Sequence, residues 1–140
     1  MSAGAVDAQQ IRTTPDPLEP YRISPAFRVG ELVITSGQAA INSDGDLVGV
    51  GDFAAQAEQV FANLAAVLAT AGSSLAQVIK VTIYLTDMAR FPEVVALRER
   101  FFTPPYPADT IVEVQALALP ALEIEIEATA LATGRTQAAP

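Results

Sequence analysis

The 140-residue chain contains neither cysteine nor histidine. Without cysteine, disulfides and thiolate nucleophiles are excluded. Without histidine, the commonest general base and the commonest metal ligand are both missing. Chemistry therefore falls to carboxylates, hydroxyls, Lys80, a few arginines or the backbone. A carboxylate-only metal site would suit hard cations. The Ser43-Asp44-Gly45-Asp46 segment is too short for a calcium loop and reads as a turn, so no metal is expected.

Positive charge is also scarce. Eight Lys and Arg residues face sixteen acids, giving a net charge of −8, and the basic residues are scattered. A phosphate-binding surface needs clustered cations, so nucleic acid and anionic membrane surfaces are disfavoured as partners. No apolar run reaches the roughly 18–20 residues of a membrane span. Residues 1–10 lack the basic patch and apolar core of a secretory signal. A cytoplasmic location is the expectation.

What is present reads as one domain with a sizeable core, since about half the residues are hydrophobic, 51%. Residues 1–8 and 132–140 read as disordered flanks of a domain over 9–131, with loose order extending through about the first dozen residues. Two short strands, Arg22 to Val29 and Glu31 to Ser36, meet at Gly30 as in a hairpin. Phe53, Ala57, Val60, Leu64, Val67, Leu68 and Ala71 recur at helical spacing, with Asp52 as N-cap and Gly72 as C-terminal cap. Val78 to Leu85 is a β-branched strand, and a second helix is expected from Ala89 to Phe101 with Pro92 in its first turn.

The segments Tyr106 to Val114 and Leu122 to Ala128 alternate with period two. Val112, Val114, Ile124 and Ile126 are assigned to the apolar side, and Asp109, Glu113, Glu123, Glu125 and Glu127 to the polar side. The order β-β-α-β-α-β-β places both helices on one sheet face. The other face, expected to carry Val33, Thr35, Ile111 and the acids, suggests self-association. Glu113, Glu123 and Glu127 read as solvated, Lys80 as paired with an acid, and Arg98 and Arg100 as surface charges. Ser36 has no histidine to activate it as a nucleophile.

These residues resemble a known family. Pro20-Tyr21, Val33-Ile34-Thr35-Ser36-Gly37-Gln38, Ala71-Gly72, Val78 to Leu85 with Asp87, Phe101-Phe102, Pro107-Ala108-x-Thr110-x-Val112-Glu113-Val114 and Ile124-Glu125-Ile126-Glu127-Ala128 are similar to the RidA/YjgF family over about residues 9–131. The resemblance implies an α+β, chorismate-mutase-like fold: a six-stranded sheet with two helices on one face, assembled as a homotrimeric barrel with ligand clefts between subunits. It also implies cofactor-free hydrolysis of reactive imines and enamines such as 2-aminoacrylate.

Carried over by position, the resemblance puts the cleft tyrosine at Tyr21, the serine at Ser36, a backbone contact at Ile111 and the water-positioning glutamate at Glu125. The family's carboxylate-binding arginine falls on Asp109, and an asparagine frequent in deaminases falls on Val95. A guanidinium is a permanently cationic fork for carboxylates. An aspartate in its place reverses the sign, so 2-imino acids are expected to be poor substrates. Asp109 and Glu125 are expected to share a polar face and to act as an acid–base pair on a neutral or cationic imine. The alternative is a non-catalytic small-molecule-binding or chaperone-like trimer. The ribonuclease label carried by some relatives is disfavoured by the charge balance.

Overall fold

In the computed structural model, which describes residues 4–140, six strands form a single sheet. The strands are β1 (Ala8–Ile11), β2 (Ala26–Val29), β3 (Leu32–Thr35), β4 (Val78–Leu85), β5 (Ala108–Glu113) and β6 (Ile124–Leu131), and the helices are α1 (Phe53–Thr70) and α2 (Phe91–Phe101). The spatial order is β1-β2-β3-β6-β4-β5. Every pairing is antiparallel except β4–β5. That pair is parallel because α2 carries the chain back across the sheet, as a parallel connection requires.

The sequence signals place the helices well. Asp52 caps α1 by accepting from the Ala55 amide at 3.0 Å, and Gly72 follows its end in the left-handed region (φ 82°). The whole predicted stripe from Phe53 to Ala71 is buried. Phe61 joins it, stacked on Phe101 with ring centroids 4.2 Å apart and meeting Phe102 edge-on. Against the helices the sheet presents Val33, Val81, Ile83, Leu85, Ile124, Ile126 and Ala128, all buried. No helix among the described residues is long and apolar enough to cross a membrane.

Several expectations need correction. β1 lies within the stretch read as loosely ordered; residues 1–3 of that stretch lie outside the described residues. At the other flank, Ala132 is buried and donates its amide to the Glu31 carbonyl, while the Gly134 carbonyl accepts from Gln77, so order continues past residue 131. Val33 and Thr35 are buried on the helix-covered face, and Ile111 packs against the same core. The uncovered face instead exposes Phe27, Ile34 and Val112. Among the described residues Lys80 pairs with no acid; its Nζ donates to Thr110 Oγ1 at 2.7 Å.

Candidate active site

Glu125 lies in β6 opposite Tyr84 of β4, one residue from the buried Ile124 and Ile126. Alternation therefore turns it to the uncovered face. Beyond Thr35, β3 is interrupted at Ser36-Gly37 and resumes as a bridge, with Gln38 and Ile126 exchanging backbone hydrogen bonds at 2.8 and 3.0 Å. The interruption brings Gly37 against the Glu125 side chain. A Cβ on Gly37 would lie 2.8 Å from Glu125 Cδ and 2.9 Å from Oε2, so only glycine leaves the carboxyl its place.

Burial raises the Glu125 pKa, and the neighbouring Glu127 charge adds to the shift. Glu127 in turn accepts a short hydrogen bond from the Tyr84 hydroxyl. That bond, burial and the two glutamate charges hold the phenol's pKa up.

Glu125 and Tyr21 both line a cavity of about 340 Å³, within the size range of small-molecule sites. Its walls come from the arm Thr13 to Leu18, the segment Gly37 to Ala39, one flank of α1, and Leu119 and Leu122. Tyr21 ends a 3-10 turn that begins at Glu19, and the chain leaves it through Arg22 in the left-handed region (φ 62°). The wall at residues 39–41 is pinned to α1: Asn63 Nδ2 donates to the Ala39 and Ile41 carbonyls at 2.9 and 2.7 Å. Ser36 stands at the end of β3, but its hydroxyl donates to the Ser24 carbonyl and the residue does not line the cavity.

Asp109 and Ile111 lie elsewhere. In β5 they pair with Val81 and Ile83, both buried under the helices, so both belong to the covered face. Asp109 accepts a forked pair of hydrogen bonds from Arg98 Nε and Nη2 of α2, each 2.9 Å. Arg98 is also stacked 5.6 Å from the Phe91 ring centroid. The polar face shared by Asp109 and Glu125 that the alternation predicted is therefore not formed within the chain. The assignment of sides failed because the parallel register places Val112, and not Asp109, on the uncovered face beside Tyr84.

Arg98 is no ordinary surface charge; it neutralises the very aspartate thought to reverse the local polarity. Glu113 is not simply solvated either, since its carboxylate accepts from the Met88 amide at 2.8 Å. Sequence reasoning also missed Gly37, whose importance lies in a close approach across strands that spacing does not reveal. Among the described residues, no group of three or more acids gathers to hold a metal.

The sheet order and the two one-sided helices define the α+β architecture of the YjgF-type proteins. The chain matches the family model described as Endoribonuclease L-PSP over residues 11–132. Among its relatives, the 3-aminoacrylate deaminase RutC of Acinetobacter baylyi is 36% identical over 84% of this chain and 90% of its own length. The 2-iminobutanoate/2-iminopropanoate deaminase of Dermatophagoides farinae is 34% identical over 81% and 86%. The crystal structure of RidA from an Antarctic Psychrobacter superposes with a TM-score of 0.80 at 35% identity, covering 88% of this chain and 98% of that one. The chain belongs to the RidA/YjgF family.

Proposed function

We propose that the protein is a cofactor-free hydrolase of the deaminase type, converting an imine or enamine without a carboxylate into a carbonyl compound and ammonia. The single observation that carries this reading is the placement of Glu125: half-buried, held beside Gly37, and facing a ligand-sized cavity with its pKa raised. A carboxylate poised nearer neutrality is a suitable general base and acid. With the imine nitrogen protonated, Glu125 takes one proton from water as the oxygen adds to the iminium carbon and returns it to the amine nitrogen of the carbinolamine. It then takes the hydroxyl proton as the C=O bond forms, the C–N bond breaks and ammonia leaves, and that proton passes to solvent. Tyr21 lines the cavity, and the Ser36 hydroxyl ties the end of β3 next to Gly37 to the Ser24 carbonyl.

Both named relatives act on compounds whose names denote carboxylates. Among the described residues, no Lys or Arg lines the cavity here. The Arg98 fork, the cation beside the family's clamp position, is already filled by Asp109. A substrate carboxylate would have to displace that internal anion, which supports a neutral or cationic substrate. The uncovered face, with Phe27, Ile34 and Val112 exposed, supports assembly as a homotrimer in which β5 of one subunit approaches the cavity of the next.

The test uses benzylimine, formed from benzylamine by an amine oxidase, and 2-aminoacrylate formed enzymatically, with ammonia and carbonyl product measured against the spontaneous rates. Acceleration of benzylimine hydrolysis that is lost in Glu125→Gln is expected. Faster turnover of 2-aminoacrylate than of the carboxylate-free imine would overturn the substrate assignment. Ligand binding that persists in both proteins with no turnover in either would favour a non-catalytic binding trimer, the reading that the occupied Arg98 fork also suits.

A further inference from the structure

Two glutamates stand side by side on the uncovered face of β6, and the fold treats them differently. Glu125 lies opposite Tyr84 in the β4–β6 register, and Glu127 lies opposite Thr82. Tyr84 is thus the direct cross-strand neighbour of Glu125, yet its hydroxyl reaches diagonally and donates to Glu127 Oε1. The Glu125 carboxyl leans the other way, toward the β3 side, where Gly37 leaves it room and the cavity opens. The surrounding elements keep the two acids distinct. On β4, Lys80 gives its Nζ to Thr110 of β5. β5 otherwise brings Val112 to this face beside Tyr84, and β3 brings Ile34 beside Thr129. Across the cavity the arm brings Tyr21 and Asp16, the latter paired with Arg12.

Two carboxylates on neighbouring positions of one face compete for a proton, and the pair is decided by what each oxygen is bonded to. A hydrogen bond donated to a carboxylate favours its charged form. Taking Glu125 as the reacting acid of the preceding section, we infer that Tyr84 is a positioning residue that acts on it through Glu127. By spending its hydroxyl on Glu127, Tyr84 keeps that neighbour anionic and leaves Glu125 as the member of the pair that takes and returns the proton beside the substrate. Glu127 supplies the fixed negative charge. The raised pKa of Glu125, from burial and the Glu127 charge, agrees with this division. The phenol's own pKa is held up, first by its bond to Glu127, so the donor persists while the carboxyls titrate.

Carboxyl titrations followed by NMR on the whole chain with isotope-labelled glutamate test this, the Glu125 and Glu127 signals being assigned from their glutamine variants. In Tyr84→Phe, which removes only the hydroxyl, Glu127 competes for the first proton. The Glu125 midpoint is then expected to move to lower pH, or its curve to split into two steps. In Glu127→Gln, which keeps an acceptor for the phenol and removes the charge, Glu125 should titrate in one step at lower pH than in the parent. Adding Tyr84→Phe to Glu127→Gln should shift it no further. The acid limb of benzylimine turnover against pH should follow the Glu125 midpoint in each variant. Only folded-state signals are read, so partial unfolding does not mimic the shift. An unchanged Glu125 curve in Tyr84→Phe would overturn the role of Tyr84. So would an equal shift with and without the Glu127 charge, which is what loosened packing gives. Titrations as expected with no imine turnover would instead remove the reaction assigned to Glu125 and leave the Tyr84 role standing.

Discussion

The last two strands carry two acids with opposite fates. Asp109, on the helix-covered side, is locked into a two-bonded fork with Arg98; Glu125, on the uncovered side, has no cation beside it among the described residues and a second glutamate two residues away. Both are partly buried carboxylates in alternating strands. The difference is that α2 delivers a guanidinium to Asp109, whereas on the uncovered face Lys80 donates to Thr110 and not to a glutamate. An acid's chemistry is set by what the topology places over it.

The two acids should differ most in what their loss does to turnover, and Glu125 carries the larger effect. Glu125→Gln should lower turnover by about 10²–10⁴-fold, the range of a lost general acid–base group, as measured by ammonia release. The same variant sharpens the electrostatic side. Because the folded-state pKa of Glu125 is raised, the folded protein binds the proton more tightly than the unfolded chain. Its stabilising effect is complete below the unfolded-state pKa and is lost as pH rises through the folded-state value. Glu125→Gln should therefore unfold at higher denaturant concentration than the parent at neutral pH, and the gap should close on acidification.

Next in size is the covered face itself. Phe61 is fully buried and stacked on Phe101, so Phe61→Ala should cost about 3–5 kcal/mol in chemical denaturation. By contrast, Ile34→Ala on the uncovered face should barely move the unfolding free energy of the isolated subunit and act instead on assembly, read by sedimentation. Gly37→Ala pushes a methyl to within 2.8 Å of Glu125 Cδ. A displaced carboxyl should reduce turnover by about 10–100-fold, since a shift of about 1 Å is costly at a reacting centre. The smallest effect belongs to Asp109→Asn. The fork is partly exposed, with side chains 24% and 19% accessible, so its loss should cost no more than about 1–2 kcal/mol and leave benzylimine turnover within a few-fold. A collapse of activity there as deep as at Glu125 would return Asp109 to the catalytic role that the alternation first suggested.

α1 and β4 are legible because each has a strong local signature: a stripe of apolar residues bounded by Asp52 and Gly72, and a β-branched run over Val78–Leu85. β1 is not, because Ala-Gln-Gln-Ile is short, largely polar and lies at the sheet's edge, where strands need no apolar face. Period two in β5 correctly grouped Asp109 with Glu113, but not the side on which they fall. That depends on a parallel register with β4, fixed by a helix whose position no local pattern encodes. The Arg98 fork has the same origin: the residues are eleven apart in sequence and meet only because the chain turns back after α2. Of the residues that line the cavity, Tyr21 and Glu125 are named by family resemblance, whereas the close approach of Gly37 to Glu125 shows only in the folded chain.

Asn63 fastens residues 39 and 41 to the longest helix, tying one half of the cavity to the core beneath it. The opposite half is a surface arm lying outside the sheet and both helices. Residues 13–18 can therefore be exchanged, lengthened or recharged with little penalty to folding, while the half bearing Glu125 stays in place. Diversification among related chains would then be concentrated in that arm, giving one unchanged reaction centre many interchangeable lids.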